Sequence, residues 1–231
     1  QPVLDTQSGE VVGAEALLRW NNPAYGEVLP GKFIDFLETD SCYYNLGLDI
    51  IRQAVSDAVE IRRKLPDFRV GINITALQLR NEDFIEEISG ILREYDYPPE
   101  GVILELTERS KELDENYLKN RISELRETGF SVAFDDMGTG YSTTNLLLNI
   151  QVDEIKLDST FVRRLMKSPG YQLFVEMLSV AASRKMIHIC FEGVEDEKIL
   201  ELIKQYGYSY CQGFYFSKPL LIDDFKEYIG G

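Results

Sequence analysis

Seven runs of this sequence place an ionisable or amide side chain inside, or at the end of, an apolar stretch. Glu15 lies in GAEALLRW, Asn73 in GINIT, Glu105 in ILELTE, and Asp135 with Asp136 in AFDDM. Lys156 lies in EIKLD, Glu192 in CFEGVE and Gln212 in YCQGFYF. A buried carboxylate without a partner is very costly, so each must be neutralised or coordinated. A salt bridge to a neighbouring Lys or Arg explains any single case. It does not explain so many together, because Lys156 and Arg19 are the only obvious basic partners. Carboxylates and amides gathered at one place form an all-oxygen cage, which suits Mg²⁺ or Mn²⁺ rather than Zn²⁺. The single histidine, His188, falls in an apolar run and reads as a packed residue rather than a ligand. The adjacent pair Asp135 and Asp136 is unusual, since neighbours on a regular strand point to opposite faces. If the strand ends at Asp135, the chain can turn so that Asp136 reaches the same centre and a carboxylate lies between two cations. Two metals about 3.5–4 Å apart are the usual device for in-line phosphoester hydrolysis. The following MGTGYS supplies a glycine-flanked turn beside the site, a candidate lid.

Positioning these groups requires elements that deliver one polar residue each to a common face. Strand-like runs occur at 11–20, 68–74, 101–107, 130–136, 153–158, 187–193 and 211–216. Helical periodicity falls between them, at 46–65, 80–95, 113–128, 171–185 and 195–206, with shorter stretches near 31–38, 141–149 and 222–229. RNEDFIEEISGILREYDYPPE shows a typical start, apolar stripe and proline-terminated end. Repeated strand–helix alternation predicts a parallel sheet, and seven or eight units predict a closed (β/α) barrel. An open doubly wound sheet usually carries a GxGxxG turn after its first strand, and none is present. In a barrel the C-terminal strand ends converge on one face, where such enzymes place their sites.

The chain has 231 residues, 44% hydrophobic and 27% charged, enough for one sizeable core. Its net charge of −15 disfavours nucleic-acid polymers and anionic membrane surfaces. A small anionic substrate therefore needs local cations, which bound metal would supply. No apolar run reaches the roughly 20 residues of a membrane helix, and no signal peptide opens the sequence. Cys42, Cys190 and Cys211 form no CxxC pair and read as reduced, packing residues of a cytoplasmic protein.

The block EALLRWNNPAYGEVLPGKFI resembles the signature of EAL-domain cyclic di-GMP phosphodiesterases. NITALQL, LELTER, FDDMGTGYS, IKLDSTFV, FEGVE and CQGFYFSKPL follow in the family's order, so the resemblance spans essentially the whole chain. It implies an α/β fold, a modified TIM (β/α)8 barrel with one antiparallel strand, and hydrolysis of cyclic di-GMP to linear pGpG. It also implies Glu15, Asn73, Glu105 and Asp135 around one metal, with Asp135, Asp136 and Glu192 serving a second. Lys156 would orient or deprotonate the attacking water, with Gln212 nearby. Leu17 and Arg19 match substrate contacts, and Glu108 matches the anchor of the DDMGTGYS loop. Asp158 and Glu195 would support the ligands from behind. The resemblance further implies a homodimer through that loop and the helix after it, and GGDEF or sensory domains in the full-length protein. Residues 1–231 then form one domain of a larger protein, opening in a first strand that lacks several preceding residues. Met137, Thr75 and Asn22 depart from the commonest family residues without removing a ligand. The alternative is a catalytically weak or inactive cyclic di-GMP receptor.

Overall fold

The computed structural model describes residues 1–37, 42–106, 113–137, 149–207 and 209–230, apart from the side chains of residues 35, 36, 42 and 136. Eight strands close into one barrel. They are β1 (Pro2–Asp5), β2 (Val11–Ala16), β5 (Arg69–Ile74), β6 (Val102–Leu106), β7 (Ser131–Met137), β8 (Glu154–Leu157), β9 (His188–Phe191) and β10 (Tyr210–Cys211). The order around the barrel is β1-β10-β9-β8-β7-β6-β5-β2. β1 runs antiparallel to both of its neighbours, and the other six pairings are parallel. The expected barrel with one antiparallel strand is what forms. A hairpin, β3 (Trp20–Asn22) with β4 (Gly26–Val28), stands outside it as a separate two-stranded sheet.

The parallel strands are connected by helices that cover the barrel. Among the described residues these include α1 (Ile34–Leu37), α2 (Cys42–Arg62), α3 (Ala76–Arg80), α4 (Phe84–Glu94) and α5 (Glu115–Glu127). They continue with α6 (Ser159–Leu165), α7 (Pro169–Lys185), α8 (Glu197–Ile203) and α9 (Ile222–Tyr228). α4 buries Phe84, Ile88, Ile91 and Leu92, the i, i+4, i+7, i+8 face that its sequence predicts. Several starts are capped by the residue that sequence rules favour. Asp114 accepts from Asn116 and Tyr117, Asp196 from Ile199, and Thr75 with Gln78 forms a capping box at α3.

Besides the strand predicted at 211–216, which ends at Cys211, three expectations change here. The first predicted strand, 11–20, stops at Ala16, after which the chain leaves the barrel for the outer hairpin. Pro2–Asp5 lies outside the strand-like runs, although the resemblance implies a first strand at the opening, and it closes the barrel by pairing with β2 and β10. Third, β7 does not end at Asp135. It runs to Met137, and its pairing with β8 shifts between Phe134 and Met137. Phe134 pairs with Ile155 and Met137 with Leu157, so two residues, Asp135 and Asp136, stand opposite the single Lys156. That is a β-bulge, the device that lets adjacent residues escape strict alternation. It lies within a strand whose flanking residues Phe134 and Met137 are buried. The predicted helix at 141–149 falls on residues outside the description, save its last.

Candidate active site at the C-terminal ends of the strands

Lys156 is the centre of the cluster. Its side chain is 1% exposed, and its Nζ lies 2.6 Å from Glu105 Oε2, 2.9 Å from Glu192 Oε1 and 3.0 Å from Glu15 Oε2. Asp135 Oδ1 is 3.8 Å away. Five different strands or strand ends thus deliver one charged group each to a single point. Gln212, just after β10, donates through Nε2 to Glu15 Oε2 at 2.8 Å and to Glu192 Oε1 at 3.0 Å. Asn73 donates through Nδ2 to Glu15 Oε1 at 2.9 Å and, unlike Lys156 beneath it, is exposed. The floor of the site is buried and its mouth is open at Asn73.

Close backbone approach makes the room. Gly71 faces Glu105 from the adjoining strand, and a Cβ there would stand 2.0 Å from Glu105 Oε1. Gly213 follows Gln212, and its Cβ would stand 2.2 Å from the Val194 carbonyl oxygen. The loops after β9 and β10 interlock at that point, with Val194 N donating to Gln212 O and Tyr215 N to Val194 O. Glu192 and Gln212 are therefore fixed relative to one another by backbone as well as side chain.

The electrostatics separate the carboxylates. Burial pushes Glu15 up, but the Lys156 charge and hydrogen bonds from Gln212, Lys156 and Asn73 outweigh it and bring Glu15 down to about 2. Burial also pushes up Glu105, and Lys156 is the only side chain donating to it among the described residues, so it stays well above the carboxylate range. Glu192 is raised to about 8, chiefly by burial and, with Lys156 opposing, by Asp135 and Glu15. The number of donors decides which carboxylate keeps its charge: three for Glu15, one for Glu105. Lys156 is held firmly protonated, since Glu105, Glu15, Glu192 and Asp135 together overcome its burial.

The remaining sequence candidates fall elsewhere. Arg19 stands 3.8 Å from Glu27 in the hairpin and donates to Leu18 O at 2.9 Å; Leu17 lies on the half-buried stretch leading to it. Asp158 does not join the cluster: its carboxylate caps α6, accepting from Thr160 N and Phe161 N at 2.9 Å each. Glu195 also stays outside, exposed and 3.6 Å from Arg163. The side chain of Asp136, all of Glu108 and most of the DDMGTGYS loop lie outside the described residues. His188 stacks on Tyr210 with ring centroids 4.6 Å apart, away from the carboxylates. Cys190 and Cys211 are buried and unbridged, and the Cys42 side chain lies outside the description. Sequence reasoning missed Gly71 and Gly213 as makers of the site. The signal was present, since each sits one strand pleat or one residue from a ligand candidate.

A model of the EAL domain matches residues 1–219. The chain belongs to the EAL domain family. The EAL protein RocR of Pseudomonas aeruginosa, named a cyclic di-GMP phosphodiesterase, is 33% identical over 237 residues, which cover 100% of this chain and 59% of RocR. The structure of the EAL enzyme Bd1971 with cAMP and cyclic di-GMP bound matches with a TM-score of 0.93 at 30% identity, covering 99% of this chain and 63% of that one. PaMucR phosphodiesterase in complex with c-di-GMP matches with a TM-score of 0.89 at 26% identity, covering 97% of this chain and 92% of that one. This EAL chain spans between 32% and 59% of the length of the first curated relatives it matches. No helix among the described residues is long and apolar enough to cross a membrane.

Whether the EAL site fits a divalent cation can be judged from its donors. No three described carboxylate, histidine or cysteine groups stand as a ready metal cage, because the Lys156 ammonium occupies the space between the carboxylates. The chemistry nevertheless fits. Glu15, Glu105, Asp135 and Glu192 face one ammonium, so full ionisation leaves three negative charges uncompensated. Among the described residues the available ligands are oxygens, including the buried Gln212 Oε1, which has no hydrogen-bond partner there.

Proposed function

We propose that this domain is a metal-dependent phosphodiesterase that hydrolyses cyclic di-GMP to linear pGpG. The observation that carries the reading is the convergence of Glu15, Glu105 and Glu192 within 3.0 Å of Lys156 Nζ, at the strand ends of an EAL barrel. Relatives and structural neighbours named as phosphodiesterases of this dinucleotide support the substrate. Mg²⁺ or Mn²⁺, two per site on Glu15, Asn73, Glu105, Asp135, Asp136 and Glu192, would stabilise charge on the phosphoryl oxygens and acidify the attacking water.

The chain's own residues would do the rest. Glu15 is the carboxylate already held ionised, so it is ready to ligate without losing a proton. Glu192 and Glu105 hold protons more tightly and would release them as the cations enter. Lys156 is a cation in the metal-free domain, so it is a hydrogen-bond donor that orients water or a phosphoryl oxygen. It could act as a base only after cations beside it had lowered its affinity for the proton. Gln212 keeps Glu15 and Glu192 at a fixed separation. Arg19 and Leu17, at the entrance beyond β2, would meet the substrate's phosphate and guanine surroundings, and Glu108 would anchor the loop after β7.

Chromatography of cyclic di-GMP incubated with the domain tests the reading. Linear product forming with Mn²⁺ and vanishing with EDTA is expected. Tight binding of intact dinucleotide at saturating Mn²⁺, with no product, would replace the enzyme by a receptor. We further propose a cytoplasmic homodimer whose full-length chain carries GGDEF or sensory domains. Leu173 and Met177, exposed one turn apart on α7, offer apolar contact to a second copy. A monomeric mass by light scattering at working concentration, with activity retained, would overturn the dimer.

A further inference from the structure

A cavity of about 680 Å³ lies at the other end of the barrel, between α7 and the turn that follows α8. It is lined by Glu176, Ser179, Arg184, Met186, His188 and Tyr206, among others, and none of them belongs to the carboxylate cluster. Its size is that of an ordinary small-molecule site. Glu176, Ser179 and Arg184 lie at i, i+3 and i+8 of α7, one helical face. Glu176 and Arg184 make no ion pair or hydrogen bond among the described residues. Eight residues of helix set them about 12 Å apart, too far to pair with one another. Between them the Ser179 hydroxyl is buried without a partner among the described residues. An unspent carboxylate, an orphaned hydroxyl and an unspent guanidinium in a row call for an elongated ligand. It must donate hydrogen bonds at one end, carry an anion at the other and offer a polar atom to Ser179 between, as a ribose does.

We propose that this cavity binds a guanine mononucleotide. The N1–H and N2–H₂ edge of guanine offers two parallel donors, which a carboxylate accepts in a bidentate pair. Glu176 is placed for that edge beside the Tyr206 ring. The phosphate then reaches Arg184, whose planar fork matches it. Adenine presents no such double-donor edge and pairs poorly with a carboxylate. His188 opens β9 and Glu192 directly follows that strand, about 13 Å further along it. Ligand pressed against His188 therefore bears on the strand that carries Glu192. This consequence for turnover rests on the catalytic reading above; the binding itself does not.

Calorimetric titration of the chain with GMP tests the proposal. One saturable site is expected, weakened tenfold or more by Glu176→Gln and by Arg184→Gln, and unchanged by Asp135→Asn in the carboxylate cluster. AMP should bind at least tenfold more weakly than GMP. Both substituted α7 residues are on the helix surface, so circular dichroism should match the parent chain. The absence of binding up to millimolar GMP would overturn the site. Binding indifferent to both α7 variants, equal binding of AMP, or loss in Asp135→Asn would overturn it too, the last by moving the nucleotide to the catalytic mouth. If the site stands and product formation is unaffected by saturating GMP, the link to Glu192 fails while the site remains.

Discussion

Replacing Lys156 with methionine removes the one cation among four carboxylates while keeping an unbranched chain of similar volume. Lys156 is 1% exposed, and Glu15 and Glu105 beside it are 8% and 4% exposed. Taking one partner from a buried ion pair costs about 3–5 kcal/mol, because the remaining charge is left buried and uncompensated. For a domain of this size each kcal/mol moves the melting temperature by about 2–4 °C, so the metal-free variant should melt roughly 6–20 °C lower. The loss should grow as pH rises through and beyond 8, where protonation of Glu192 relieves progressively less of the repulsion. Divalent cations change the comparison. In the variant no ammonium competes for the carboxylates, so Mg²⁺ should bind more tightly and raise the melting temperature by more than it does in the parent. At a hundredfold excess over its dissociation constant, ligand binding alone contributes about 2.7 kcal/mol. Scanning calorimetry in EDTA and in Mg²⁺ at pH 8, alongside the turnover assay, separates the two roles of Lys156. Stability recovered in Mg²⁺ with turnover still lost is the expected pattern. A metal-free variant melting within 2 °C of the parent would refute the argument that Lys156 neutralises the cage.

Gly71→Ala sets a methyl 2.0 Å from Glu105 Oε1 and must displace that carboxylate; metal affinity by calorimetry should fall about 10–100-fold, as it does when ligand orientation is disturbed. The metal-free stability should depend on pH in two windows. Glu192, raised from 4.5 to about 8, binds its proton more tightly folded than unfolded, so its effect is a loss of stability as pH rises from 4.5 to 8. Glu15, lowered from 4.5 to about 2, contributes stability that is present above 4.5 and lost as pH falls toward 2. Urea denaturation across pH should therefore peak in mildly acid buffer in EDTA, and saturating Mg²⁺ should flatten the decline toward pH 8. Asp153→Ala removes a carboxylate that accepts from Arg126 Nη2 at 2.8 Å and from Val132 N at 2.9 Å. It should cost about 1.5–3 kcal/mol in urea denaturation without altering the metal affinity of the intact fold.

The barrel was legible because burial on both faces writes each parallel strand as an apolar run, and polar intrusions mark the residues that do something else. Glu15, Glu105, Lys156, Glu192 and Gln212 were found that way, and all five meet in space. What escaped was information held between strands rather than along them. Pro2–Asp5 is too short and too close to the start to show a pattern; the resemblance implied a strand there, and its pairings reveal it as the closing one. The helix Ser159–Leu165 is absent from the predicted helical stretches, since its seven residues give barely two turns of pattern. Asp158 was drawn toward the site by the resemblance alone, and its carboxylate is taken up instead in capping the helix that follows. Gly71 carries no chemistry of its own, and its role appears only once Glu105 lies over it.

The irregular pairing in β7 ties catalysis to the core in a way that constrains how this segment can vary. Because Asp135 and Asp136 share the space opposite Lys156, the strand resumes with Met137 facing inward, where it is 1% exposed. Deleting either aspartate would give a shorter, perfectly alternating strand, but every residue beyond it would turn to the other face. Met137 would be driven from the core. Substitutions here can therefore be silent or can remove a proposed ligand, whereas a change in length is a packing error first. The two acidic positions behave as one indivisible unit of the architecture.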